Sequence, residues 1–334
     1  MCTPAFRAIK ESLPGADLTL LSSDIGSDIA KLIPEIDQII PFQAPWIKST
    51  VKFENSYPMR NMITKLKKMK FDASIIMTTY SQSPFPAAML CFLADIKRRL
   101  AYAHENQYQL LSHWIPDPEP NTLRRHETQR QLDLVASVGF TTSDNHLSLK
   151  YRPEVEEKMR SLIKTKLMIS MPWFLLNAGA SAPSRRYPLH HFAKIIDLMC
   201  LKGWRPVLTG SVEEFDLIND LMCLTDHKPL NLCGKLDLEE LSALIALSPL
   251  LISNNTGPDH IAAAVDTPAV VIYAQTNLQH YPWSKKCAVL THDVDCKNCL
   301  KSVCPKKHHN CLELIDPVDV INTAESLLKN RIEL

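Results

Sequence analysis

The residues best suited to chemistry lie in Ser253–His260, SNNTGPDH. A polar turn there separates an apolar run (Leu250–Ile252) from a small-residue run (His260–Val265), which marks a strand end and a helix start. Free backbone N–H groups and the positive end of the helix dipole converge at such a turn. That makes a site for an anion, most often phosphate. Ser, Asn and Thr are also good caps, so an ordinary capped helix is the plain alternative. Arg185 and Arg186 stand just ahead of a second helical pattern, Leu189–Leu201. Cations before a helix start are unfavourable for the dipole unless an anion sits between them, and Arg grips phosphate bidentately. Two solvated arginines are the alternative. A third constellation is Cys296-x2-Cys299-x4-Cys304-x6-Cys311, with His308 and His309 before the last cysteine. Four soft ligands at this spacing suit a closed, structural Zn site. An Fe–S cluster or four free thiols are the alternatives.

These residues need elements to carry them. Apolar strand patterns fall at Leu18–Leu21, Gln38–Phe42, Ala73–Thr78 and Arg99–Tyr102, then at Phe174–Asn177, Pro206–Thr209, Leu250–Ser253, Ala269–Tyr273 and Ala288–Leu290. Helical patterns lie between them: Pro4–Leu13, Asp28–Leu32, Met59–Met69, Pro84–Leu93, Leu189–Leu201, Val212–Leu221, Leu238–Leu247 and Asp259–Val265. Strand–helix alternation means parallel sheets covered on both faces. With 334 residues, the chain is long enough for two such domains facing a cleft. The expected division is 1–165 and 166–334, with a final helix at Pro317–Leu328. The chain opens directly on a helix, whereas a doubly wound domain opens on a strand and a strand-to-helix loop; both are expected to be absent.

Composition excludes several classes. The net charge is +1, which gives no basis for a nucleic-acid partner. There are 8 Gly and no GxGxxG or GxxxxGK[ST], so a dehydrogenase fingerprint and a P-loop are unsupported. No apolar run is long enough to cross a bilayer and no apolar signal region opens the chain, so a cytoplasmic location is expected. Lys65, Lys67, Lys68 and Lys70 share a helical pattern with Met62, Ile63, Leu66 and Met69, and Lys97, Arg98 and Arg99 add charge nearby. The pattern fits peripheral contact with an anionic membrane surface, expected to be the inner face of the inner membrane, or contact with an acceptor's phosphates, or an ordinary solvated helix face.

Asn177–Pro188 (NAGASAPSRRYP), Gly210–Glu214 (GSVEE), Asn231–Ser242 (NLCGKLDLEELS) and Ser253–His260 resemble successive motifs of glycosyltransferase family 9, the ADP-heptose:lipopolysaccharide heptosyltransferases and their relatives. Thr3–Lys10 (TPAFRAIK) and Asp37–Ile47 (DQIIPFQAPWI) resemble its N-terminal part. The resemblance implies an α/β GT-B fold of two Rossmann-like domains. It also implies inverting transfer of heptose from ADP-heptose to a lipid A–core acceptor, with no catalytic metal.

The resemblance gives Arg185 the leaving-group position, followed by Arg186 and Tyr187, with Ser181 donating to a phosphate oxygen. A departing diphosphate needs such fixed donors and cations. Thr256 and Gly257 would hold its other side, with His260 facing the site from the first helical turn. Asn255 stands where the family more often has Asp, and an amide carries no charge. Glu214 would accept from ribose hydroxyls, or serve only as a helix-start acid. Leu236 would pack on adenine, or on the core. Asp237 and Glu240 form a capping box. The family's general base lies in a Gly-Asp loop ahead of Thr3-Pro4, and no residue here matches it; Asp24 and His104 are unranked substitutes. Three other readings stay open: a sugar-nucleotide-binding pseudoenzyme, a GT-B-like sugar-nucleotide epimerase, and a metal-stabilised binding module.

Overall fold

The computed structural model of this chain describes residues 1–47, 54–105, 108–167 and 171–332. It divides into two compact units, Met1–Asn145 and His146–Leu334.

In the first unit, helices α1 (Thr3–Ser12), α2 (Asp24–Ala30), α3 (Tyr57–Met69), α4 (Phe85–Leu93) and α5 (Glu127–Ala136) alternate with strands β1 (Thr19–Ser22), β2 (Gln38–Pro41), β3 (Ala73–Ile76), β4 (Arg98–Ala103) and β5 (His113–Pro116). Among the described residues the strands form two separate parallel sheets, β1-β2 and β3-β4-β5. Alpha-helix α1 buries Ala5, Ala8 and Ile9 against Val135 of α5. Strand β5 and helix α5 escape the sequence pattern. The first is short and polar-edged, HWIP, and the second buries polar side chains, Thr128, Arg130 and Gln131.

Those polar side chains form a buried ionic cluster. Arg130 Nη2 meets Asp117 Oδ2 at 2.6 Å, and its Nη1 meets Glu119 Oε2 at 2.5 Å. Arg125 reaches the same Glu119 carboxylate at 3.1 Å. Arg99, expected among the exposed cations, is buried instead. Its guanidinium donates to the carbonyls of Leu110 (2.7 Å) and Gln109 (2.8 Å).

The second unit carries one parallel sheet in the order β11-β10-β9-β6-β7-β8. Its strands are β6 (Trp173–Asn177), β7 (Arg205–Thr209), β8 (Leu230–Asn231), β9 (Leu251–Asn254), β10 (Ala269–Ile272) and β11 (Cys287–Leu290). Its helices are α6 (Pro153–Leu167), α7 (Leu189–Leu201), α8 (Phe215–Leu224), α9 (Leu238–Leu247), α10 (Gly257–Ala264), α11 (Asn310–Glu313) and α12 (Pro317–Ile332). Strand side chains alternate between faces. Phe174 and Leu176 of β6 join α7, α8 and α12 on one side, while Leu175 joins α6, α9 and α10 on the other. Both faces are therefore covered, which is why these strands read as unbroken apolar runs.

The contact boundary falls ahead of α6, not at the expected residue 165. Helix α6 buries Val155 and Met159 with Ala243–Ile245 of α9, so it belongs to the second core. Arg152 pairs with Glu239 at 2.8 Å, and Lys158 pairs with Glu240.

The Arg130 cluster gives a stability test. Replacing Arg130 with Met takes from Asp117 its guanidinium partner and leaves Glu119 with Arg125 alone, and should cost about 3–5 kcal/mol. Urea unfolding of wild type and Arg130→Met measures it.

Candidate anion site at the strand-order reversal

Counted from β6 as its first strand, the second sheet runs 3-2-1-4-5-6. The order reverses between β6 and β9. Doubly wound domains bind ligands outside the carboxyl ends of the strands at this point. Those ends lead into the loop 178–188 after β6 and the short turn before α10 after β9.

Asn254, the last residue of β9, ties the two together. It is fully buried, so its amide must find partners. Its Nδ2 donates to the carbonyls of Ala178 (2.8 Å) and Gly179 (3.3 Å), and its Oδ1 accepts from Tyr187 N–H (3.0 Å). Tyr187 is buried too, and its hydroxyl donates to Ile315 O at 2.6 Å. The loop carrying Arg185 is thus pinned at both ends. Sequence reasoning missed Asn254, because the adjacent Asn255 offers the same amide and no local signal separates the two.

Arg185 ends a short 3-10 turn, Pro183–Arg185. Its Nε is buried and has no hydrogen-bond partner. The guanidinium lies close enough to Asp259 and Tyr273 to act on both electrostatically. Arg185 therefore sits beside α10, not merely ahead of α7. A buried charged donor without a partner is costly, and a bound anion would remove that cost. Arg186 is exposed, and its Nε donates to Ala180 O at 2.8 Å, bracing the loop from within. Ser181 is exposed at the same loop.

Thr256 caps α10. Its N–H donates to Asp259 Oδ2 at 3.1 Å. Gly257 opens the helix, and a Cβ built there would meet nothing within 4 Å. The protein's own packing leaves this space empty, so glycine here keeps room at the helix entrance. His260 is partly exposed, with Nδ1 3.3 Å from Asp259 Oδ1. Asp259, which the sequence reading did not single out, is fully buried. Burial holds its carboxyl well above the usual carboxylate range, against the pull of the Thr256 and His260 amides and the Arg185 charge.

Three expected contacts have other occupations. Asn255 is buried and its Oδ1 accepts from Ala274 N at 3.4 Å, so its amide serves the end of β10. Leu236 packs on the lower core. Glu214 closes a capping box, with Oε2 accepting from Ser211 N at 2.9 Å. Its carboxylate also lies against the β6 loop, where a Cβ on Gly179 would come within 1.9 Å of Glu214 Oε1. Glycine is needed at 179 for that approach. Asp237 and Glu240 form the expected capping box, at 2.8 and 3.0 Å. In the first unit, Asp24 Oδ2 accepts from Gln43 at 2.5 Å. His104 Nε2 lies 3.0 Å from Tyr80 O and 3.9 Å from Asp117 Oδ2.

A parallel sheet in this order, with Arg185 and the start of α10 beside its reversal point, defines a doubly wound α/β domain. Residues 59–310 match the family model described as glycosyltransferase family 9 (heptosyltransferase), and the chain belongs to that family. It is 25% identical to lipooligosaccharide heptosyltransferase 2 of Campylobacter jejuni, over 99% of this chain and 94% of the relative. It is 23% identical to lipopolysaccharide heptosyltransferase 2 of Escherichia coli, over 98% and 94%. Among solved structures it is similar to E. coli ADP-heptose LPS heptosyltransferase II (TM-score 0.76, 20% identity, 99% and 95% covered). It is also similar to a family 9 glycosyltransferase from Veillonella parvula (TM-score 0.81, 19% identity, 98% and 93% covered). The fold shared with these structures is GT-B.

Asp259 gives a pH test. Between the ordinary carboxylate value and its raised folded value, the native chain holds a proton that the unfolded chain has released. Its contribution to stability is therefore complete below about pH 4 and declines as pH rises through that window. Asp259→Asn cannot titrate. The melting temperature of this variant should gain on wild type as pH rises from about 4 to neutrality; parallel melting curves across pH would contradict the shift.

Proposed function

We propose that the chain transfers a heptose from ADP-heptose to a lipopolysaccharide core acceptor. Its second unit binds the ADP moiety. Family membership supports the reaction class, and the names of the relatives support the sugar. The observation that carries the site assignment is the buried, unpartnered Nε of Arg185 beside the open entrance of α10.

In the transfer an acceptor hydroxyl attacks the anomeric carbon. The bond to the diphosphate oxygen breaks on the opposite face, which inverts the centre. Negative charge then grows on ADP. Arg185 and the Gly257 amide that opens α10 are fixed donors for that charge, and donors already in place cost no reorganisation during reaction. Ser181 adds a hydroxyl from the same loop. Glu214, held between Gly179 and Gly210, offers its Oε1 to a ribose hydroxyl while Oε2 caps its own turn. His260 reaches the donor from the first turn of α10. The base that takes the acceptor proton is not assigned to a residue.

The acceptor is lipid-linked, so we infer that the first unit rests on an anionic membrane surface. Met89, Phe92 and Leu93 of α4 are 44–47% exposed. Lys65 and Lys68 of α3 and Lys97 and Arg98 beside α4 are exposed cations. An apolar face flanked by cations fits peripheral binding. No described helix is long and apolar enough to cross a membrane.

Incubation with ADP-heptose and a lipid A–core acceptor should release ADP only when both are present. ADP binding without product would favour a pseudoenzyme, and conversion of the donor with no acceptor would favour an epimerase. Arg185→Ala removes a charge-assisted contact and should weaken ADP by about 10- to 100-fold, with the melting temperature unchanged. Gly257→Val should also weaken ADP without unfolding the chain, because its Cβ enters open space. An unchanged affinity in Arg185→Ala by calorimetry would remove Arg185 from the site. Vesicles rich in anionic lipid should co-float the protein, and Phe92→Asp should abolish that association; equal flotation of the variant would sink the membrane reading.

A further inference from the structure

Between β11 and α12 the chain makes a long excursion that the transfer reaction does not use. It carries Cys296, Cys299, Cys304 and Cys311, all free and all half-buried. The four thiols line a single small cavity together with His308 and His309. Backbone amides point at two of the sulfurs. Gln275 N–H faces Cys311, and the amides of Lys306, Lys307, His308 and His309 surround Cys304. Cys296 Sγ lies 3.8 Å from His308 Nε2. No three of the thiols stand within 4.8 Å of one another, so a closed shell requires side-chain rotation about a fixed backbone.

That backbone is tied to the anion site. Ser184, the buried residue before Arg185, donates from Oγ to Lys301 O (2.7 Å) and from N–H to Ser302 O (3.0 Å). Lys301 and Ser302 lie between Cys299 and Cys304. On the other side, Asn298 and Leu300 donate to the carbonyls of Gln275 (2.7 Å) and Thr276 (2.9 Å), just after β10.

We propose that Cys296, Cys299, Cys304 and Cys311 bind one thiophilic divalent ion of the Zn2+ class, and that this ion, through Lys301 and Ser302 on Ser184, positions Arg185. Four thiolates in a closed shell leave no open coordination position, so the ion is structural. Binding displaces the thiol protons to solvent and changes no oxidation state. The positioning claim rests on the reading of Arg185 as the diphosphate cation. Ser184 is a positioning residue: it touches the metal loop and orients its neighbour.

The test uses the full chain purified under reducing conditions. Elemental analysis should find about one zinc per chain, lost in Cys304→Ser. Another group, His190, His191 and Glu313, unlike the thiols, does bring ligand atoms within 4.8 Å, but His190 and Glu313 are exposed. Zinc retained in Cys304→Ser would point there and overturn the proposal. So would a chain without metal, or one whose mass shows the thiols paired as disulfides. Ser184→Ala should keep its zinc, fold normally and bind ADP about 3- to 10-fold more weakly, with Ser184→Thr restoring affinity. The double variant Ser184→Ala/Arg185→Ala should bind no more weakly than Arg185→Ala alone, since both losses act through one contact. If Arg185→Ala is silent, the diphosphate reading itself has failed. If Arg185→Ala weakens ADP and Ser184→Ala does not, the metal loop has no hold on Arg185 and this inference falls.

Discussion

The second unit depends on how one half-buried cation is held. Arg185 keeps its guanidinium beside Asp259 and the entrance of α10, with Nε closed off from both water and protein partners. Such an arrangement persists only where surrounding structure enforces it. Three independent anchors do so. Asn254 clips the start of the loop to the end of β9, Tyr187 fixes its far side to Ile315, and Ser184 fixes its middle to the cysteine loop. Each anchor is a hydrogen bond made by a buried polar group, and each would be expensive to leave unmade.

The sheet order explains why these anchors converge. Helices α7 and α10 follow β6 and β9, the two strands between which the order reverses, and they pack on opposite faces of the sheet. The reversal leaves a crevice in which both loops are free to approach. Two glycines then set the spacing inside it. Gly179 lets the Glu214 carboxylate come against the β6 loop, and Gly257 leaves space at the α10 entrance. Asp259 supplies the opposing charge. Its burial disfavours ionisation, so Arg185 is only partly neutralised and remains a site for an external anion.

Much of this was legible from residue types. Apolar runs such as Leu250–Ile252 and Ala269–Ile272 are strands with both faces covered, and SNNTGPDH is a strand-to-helix turn, because such patterns leave the backbone few alternatives. Arg185 stood out through the resemblance, because its place before a helix start alone fits two solvated arginines equally well. The rest was hidden because it depends on contacts distant in sequence. The Asn254 bonds span about 75 positions and the Ser184 bonds 117. Nothing local distinguishes Asn254, a clip, from Asn255, which turns to β10. Helix α6 carries many charged residues, so the pattern does not say which core it joins; Val155 and Met159, buried with α9, tie it to the second. Glu214 caps its own turn, as the helix-start reading expects, and also abuts the β6 loop, a long-range contact that no local pattern signals.

A crystal structure with ADP bound would test the central claim most directly. The account predicts diphosphate oxygens within hydrogen-bonding distance of the Arg185 guanidinium and the Gly257 N–H, with the loop 178–188 where Asn254 now holds it. A nucleotide bound elsewhere on the chain, or one whose diphosphate makes no contact with the Arg185 guanidinium, would contradict it.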